Sequence, residues 1–484
     1  SIDNGVHVNA GVAVLTDGVI VDTAATPAGG FGIGLLVLEG GTADVTRLYV
    51  ARSLDQGVGV WNDPSRLTAS HLVVRDTRCN PAGFCGGSLS ALGAAQVMVD
   101  HAKLEAAPSY GIRAYGGARL TASRTLVTGR PGVTAVGLRV GLEGDATLSF
   151  ARIEGWTGAA VTTEPESAED TGGAMAHLED VVVAPGGADI ADLAVALRSV
   201  AAGTIDGTNV VLAGSTGTAA EARGAGSSVR LTGAIVADTA SSRTPSRAAL
   251  QASEGGAVDV VSAEVLRSAG TAVSATDGSS LALSAVRASD SAGPAVVVAG
   301  AGSLAMLGSV AIVGHELAAV LVDAALLDAM DLRIDAPARV ARRTDGLVAI
   351  GGAIVRVDRI EVSGARGVGV GAWGSSTSLT LSNARISGTA MEGGVAASLG
   401  LYEDPTFDVS RFACDDAAPA TGLQLLPTPS RALGVGWVRD HAVGVAASTT
   451  TGLDVVVGEV VLLDVRAAIE APSARDAPAA PVLE

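Results

Sequence analysis

The chain reads as an all-β solenoid, and three observations carry that reading. Val258, Leu281 and Leu304 open near-identical units 23 residues apart, and Gly270 with Gly293 and Val273 with Val296 keep the same phase. Apolar residues alternate in short bursts, as in Leu281-Ala282-Leu283 and Val258-Asp259-Val260, and Gly, Ser, Asp or Asn separates the bursts; that is the two-residue period of strands broken by turns. A turn glycine followed by apolar-x-apolar recurs at Gly57-Val58-Gly59-Val60, Gly137-Leu138-Arg139-Val140, Gly367-Val368-Gly369-Val370 and Gly422-Leu423-Gln424-Leu425. A fixed period of this size means one supersecondary unit stacked on itself.

A 23-residue unit is too short for a four-stranded propeller blade and lacks the Leu and Asn spacing of a leucine-rich repeat. Three strands of about four residues, joined by turns, fit it as one coil of a single-stranded parallel β-helix. The 484 residues allow roughly 20 coils, expected over residues 1–470, followed by an Ala- and Pro-rich tail over 471–484. Strand-like sequence begins at Val6 to Val14 with no amphipathic helix ahead of it, so a partner or a missing segment is expected to cover the N-terminal coil.

Breaks in the period locate loops. Leu67 to Val97 spans 30 residues and Val97 to Leu120 spans 23, and the excess matches the segment Cys79 to Cys85. That segment is expected to be an extruded loop closed by a disulfide, which needs an oxidising compartment. Leu120 to Leu148 spans 28, with a similar excursion at Arg130-Pro131-Gly132. Gly314 to Met330 has the propensity of a helix, yet Ala319-Val320-Leu321-Val322 keeps the coil pattern and strand is expected there; Ala188 to Leu197 reads as either.

Composition bounds the function. Hydrophobic residues are 48% and aromatic ones 3%, with 63 glycines, which suits a narrow coil interior. No apolar run approaches the roughly 18 residues of a transmembrane helix. A net charge of −18 excludes a basic face for nucleic acid. Lys103 is the one lysine beside many arginines, and with the Ala and Gly excess this points to a GC-rich bacterial genome. The start at Ser1 implies a removed signal peptide or a fragment boundary; secretion or display at the cell surface is the expected location.

The period and turn pattern resemble the right-handed parallel β-helix superfamily, which holds pectate lyases, polygalacturonases, phage tailspikes and noncatalytic bacterial surface proteins. Polygalacturonase-like members imply an Asn-Thr-Asp triplet, an Asp-Asp pair, a Gly-His-Gly and an Arg-Ile-Lys. Only Asp415-Asp416 matches, and Gly314-His315 is followed by Glu316, so that activity is not carried over and the noncatalytic branch is preferred. Pectate lyases imply a calcium site of clustered carboxylates and a basic residue. The candidates are Glu164, Glu166, Glu169 and Asp170, and Asp323, Asp328, Asp331 and Asp335 with Arg342-Arg343 nearby; Asp328, Asp331 and Asp335 are the weak calcium ligands retained, and no other cofactor is expected. Gly369-Val370-Gly371-Ala372-Trp373-Gly374 formally matches a dinucleotide fingerprint, but Leu379-Thr380-Leu381 reads as a strand where a helix would have to follow.

Coil register supplies a less obvious set. His71, His101 and Arg124 each stand four residues after a phase marker, beside Ser70, Asp100 and Ser123. Trp61 and Tyr115 each stand four after a turn glycine on the adjoining strand. Rings offer a stacking surface to a sugar's C–H face and polar side chains bond its hydroxyls, so Trp61, His71, Asp100, His101, Tyr115 and Arg124 are the candidate carbohydrate contacts. The expected protein is a structural or adhesive β-helix contacting a polysaccharide or cell-envelope surface. The competing reading is a polysaccharide lyase or glycoside hydrolase whose carboxylates assemble from separate coils.

Overall fold

The computed structural model describes residues 3–24, 31–80, 83, 85–105, 107–129, 136–164, 173–184, 195–239, 248–336, 343–390, 397–403 and 405–415, with the backbone of seven further strands between Thr421 and Glu470. The Arg130-Pro131-Gly132 excursion, the carboxylates Glu166, Glu169, Asp170 and Asp416, Arg342 and the tail over 471–484 lie outside the described residues. Every regular element among them is a strand, including Leu317–Asp323 and Leu326–Asp335, where helix propensity competed.

Each strand pairs in parallel with its counterparts one turn away, as Gln96–Glu105 does with Arg66–Arg75 on one side and Arg119–Thr128 on the other. The chain is an all-β parallel β-solenoid whose turns lie about 26 residues apart. That spacing corrects the expected 23, and fewer than 20 coils follow. Twenty-three is a recurrent short step, as between Leu35 and Val58 or Leu89 and Ile112. Loops lengthen others, as between Val58 and Leu89, which step across the cysteine loop.

Two phase markers shift for the same reason, since turn length varies while burial selects which residue faces in. Ala146, not Leu148, lies opposite Leu120. Ala305, fully buried, lies opposite Leu281, and Leu304 is half-buried beside it.

Contacts divide the chain into two compact units, one of Ser1–Gln251 with Gly256–Asp259 and one of Ala252–Gly255 with Val260–Glu484. In the first, Ile33–Leu38, Val58–Trp61, Gly87–Leu92, Tyr110–Tyr115 and Val136–Gly141 build one sheet. Ten-residue strands at Val12–Val21, Thr42–Ala51, Arg66–Arg75, Gln96–Glu105 and Arg119–Thr128 build the other.

Each ten-residue strand bends at its sixth residue. Asp17, Arg47, His71, His101 and Arg124 occupy that place with φ of 54°, 55°, 56°, 55° and 49°, the left-handed region that L residues seldom enter. The bend costs one step of the alternation: in Arg66–Arg75 the inward residues are Leu67 and Ala69 before it and Leu72 and Val74 after it. The second unit repeats the device at Asp331, Arg359, Asn383 and Arg411, with φ from 52° to 60°, each the sixth residue of its ten.

Inward side chains stack in columns. Ala43, Leu67, Val97 and Leu120 form one, and Leu35, Val58, Leu89, Ile112, Leu138 and Val161 another, all 2% exposed or less. Burying one such Val, Leu or Ile contributes about 1.5–3 kcal/mol, repeated at every turn.

Candidate ligand-binding site

Outward from the short-strand sheet of the first unit, glycines make room for the side chains that matter. Gly59 carries the Gln56 amide and the Trp61 indole above it; a Cβ there would stand 3.0 Å from Gln56 Oε1 and 3.0 Å from Trp61 Nε1. A Cβ on Gly86 would meet Asp55 Oδ1 at 2.7 Å, and one on Gly87 would meet the Tyr110 ring at 2.1 Å. Gly86 and Gly87 leave no room for a side chain, and at Gly59 one would press on the Gln56 amide and the Trp61 indole. Above them lies a cavity of about 380 Å³ lined by Phe31, Asp55, Gln56, Trp61, Tyr110 and Arg113, with Cys85, Gly86 and Leu92 completing the wall.

The rings are ordered by contact. Phe31 meets Trp61 edge-on, centroids 5.4 Å apart at 80°. The Arg113 guanidinium lies 5.6 Å from the Tyr110 centroid and 4.9 Å from that of Tyr115, within cation–π range of both. Gln56 Nε2 donates to Tyr110 Oη at 3.2 Å and Ser90 Oγ donates to Gln56 Oε1 at 2.7 Å. Burial pushes the Tyr110 hydroxyl up from its ordinary range, against the pull of the Arg113 charge.

Asp55 is different. It is 5% exposed, has no hydrogen-bond or ion-pair partner among the described residues, and burial alone pushes its carboxyl up to about 6. Its φ of 139° is one an L residue rarely adopts, a form of strain that gathers at ligand sites. The Trp61 Nε1 is also covered and without a partner.

Trp61 and Tyr115 therefore share one outward column, with Leu92 between them in register, and Trp61 lines the cavity. His71, Asp100, His101 and Arg124 belong to the other sheet, at the strand bend, and none of them lines it. There the His71 and His101 rings stack 4.9 Å apart at 3°. Asp100 accepts from Arg124 Nη2 and from Ser123 Oγ at 2.5 Å each, and its Oδ2 lies 2.8 Å from His101 Nδ1. The Arg124 guanidinium, helped by Ser123 and His101, holds the Asp100 carboxyl well below the usual carboxylate range. Asp100, His101, Ser123 and Arg124 thus bond one another, across one turn of the solenoid.

Cys79 and Cys85 form a disulfide, which points to an oxidising environment, and Cys85 lines the cavity. Cys414 is fully buried and in no disulfide. No helix among the described residues is long and apolar enough to cross a membrane.

The calcium candidates do not converge. Asp331 accepts from Arg359 Nη2 at 2.9 Å, Asp335 from Arg333 Nε at 2.9 Å and Ser363 Oγ at 2.6 Å, and Asp328 lies 3.6 Å from Arg356 Nη1. Among the described residues no group of three or more His, Cys, Asp and Glu could hold a metal ion. Glu164 lies 3.5 Å from Arg139. The glycine run from Gly369 to Gly374 falls on the strand Val368–Trp373, paired on both sides, and its following turn, not on a phosphate loop.

Sequence reasoning missed Phe31, Asp55, Gln56, Tyr110 and Arg113. Register could have found Arg113, which stands one short step after Ser90 and two turns after Gly59. Asp55 and Gln56 precede the repeat's phase marker, in a connection where no periodicity operates. No protein-family model matches the chain, and no curated protein is significantly similar to it.

Proposed function

We propose that this is a secreted or cell-surface bacterial β-solenoid of structural or adhesive role, which contacts carbohydrate on the outward face carrying Trp61 and Tyr115. The observation that supports it is the cavity above Gly59, Gly86 and Gly87, where aromatic walls meet a few polar groups, the composition of a small-ligand site. Its volume of about 380 Å³ suits one or two sugar units. Binding is preferred to cleavage because Asp55 is the one carboxylate lining it among the described residues, whereas glycoside hydrolysis takes two, about 5–10 Å apart.

The disulfide supports an extracellular setting. A partner or further segment over the first coil is supported by its outward valines: Val12, Val14 and Val19 are 78%, 72% and 69% exposed, where the next turn places Thr42, Asp44 and Tyr49. Contiguous apolar exposure of this kind marks interaction surfaces.

A glycan array read together with product analysis tests the function. Wild type binds and Trp61→Ala binds at least about tenfold more weakly, the loss of one stacked ring. Equal binding by the two proteins removes the carbohydrate reading, and release of new oligosaccharide ends replaces it with the lyase or hydrolase.

A further inference from the structure

We infer that the cavity is a socket for the amine-bearing unit of a glycan, the sugar's ammonium seated against the Asp55 carboxylate and its ring face against Trp61. This rests on the carbohydrate reading above and names the ligand class.

Asp55 carries the inference. Buried carboxylates are ordinarily hydrogen-bonded or paired, yet this one, 5% exposed, has neither among the described residues. Its polar neighbours face elsewhere, because Gln56 and Ser90 are engaged with each other and with Tyr110. The one cation lining the cavity among the described residues, Arg113, stacks on Tyr110 and Tyr115 and does not lower the Asp55 carboxyl. A metal ion is a poor complement, since among the described residues Asp55 belongs to no group of three His, Cys, Asp or Glu that could hold one. The missing charge is a compact cation.

The walls favour that cation on a sugar. Phe31 and Trp61 stand nearly perpendicular, one presenting an edge to the other, and a ring face attracts an ammonium that has shed its water. The same Trp61 face suits the C–H face of a pyranose. Burial pushes the Asp55 carboxyl up to about 6, while Tyr110 is pushed up from its own, higher range and Cys85 is in the disulfide. Protonation of the Asp55 carboxylate removes the ammonium's partner, so affinity falls as pH falls through about 6.

The test is calorimetric titration of the whole chain, at physiological ionic strength, with short oligomers of glucosamine, N-acetylglucosamine and glucose of equal length, and with a linear polyamine. The glucosamine oligomer is expected to bind about tenfold or more tighter than the other two and the polyamine. Asp55→Asn should erase that preference. In wild type the preference should fall by about tenfold per pH unit below 6. This last arm needs no variant, and it decides the matter if Asp55→Asn fails to fold.

Equal affinity for the three oligomers, an unchanged preference in Asp55→Asn, polyamine binding as tight as the sugar amine, or no pH dependence overturns the inference. Neutral oligomers that bind wild type and lose affinity in Trp61→Ala leave the carbohydrate reading standing while this one falls. If no oligomer binds wild type, both fall.

Discussion

The outward sheet faces of the two units use the same device to opposite ends. In the first, Trp61 folds back over Gly59 and borders an open cavity with the unpartnered Asp55. In the second, Trp373 lies over Gly371 and Tyr402 over Gly400, the rings stack 4.6 Å apart, and both are sealed, at 2% and 0% exposure. They pack with Val297, Leu321, Val348 and Val368 into an apolar cluster. A glycine that lets an aromatic ring lie flat on a sheet thus sets geometry only. Whether the ring becomes core or ligand wall depends on what surrounds it.

The comparison breaks most sharply at its aromatic residues. Trp373→Ala should cost about 3–5 kcal/mol, as for a buried aromatic, read as a lower chemical-denaturation midpoint for the second unit. Trp61→Ala should leave that midpoint nearly unchanged while weakening binding. Equal destabilisation by the two would show that Trp61 is core as well.

Buried polar groups sharpen it next. His315 is 1% exposed, with Nε2 3.1 Å from the Asp345 carbonyl, and burial pushes its pKa down to about 4. Its unfolded pKa is about 6.5, so between 4 and 6.5 the unfolded chain binds the extra proton. Stability from this group is therefore full above about 6.5 and lost as pH falls toward 4, a term of about 3 kcal/mol. Asp345, whose carboxyl burial pushes up, contributes a slope of opposite sign. The His315 part is read as the difference in pH-dependent stability between wild type and His315→Gln, and parallel curves would refute it.

Smaller effects follow at the cysteine loop and the bends. Cys79→Ser with Cys85→Ser should cost about 2 kcal/mol for so short a loop, and trimming the loop to a turn should keep the β-rich circular dichroism. Loss of that signal would place the loop in the core. Asp17→Ala, which removes an exposed pair with Arg47, should leave the thermal midpoint within error; a clear drop would mean that the bend column bears on stability.

Much of this was legible in residues. The repeat, the cysteine loop and the column of His71, His101 and Arg124 all appear as spacing, because stacking turns forces like positions into register. The role of that column was not legible. Spacing says that the three residues align; only φ shows that they occupy the bend of a ten-residue strand, where exposed side chains pair with one another. Trp61 was found from its turn glycine, but its neighbours Phe31 and Asp55 come from connections between strands, which carry no period.

What the sequence by itself determined is therefore the solenoid: alternation buries one face of each strand, and a recurring spacing stacks those faces turn upon turn. What only the tertiary structure decided is the cavity and the fate of its acid. Asp55 is an ordinary aspartate beside a turn until the fold covers it, places Gly86 against it and leaves it without a partner among the described residues. That outcome depends on side-chain directions in three different turns, and no local pattern encodes it.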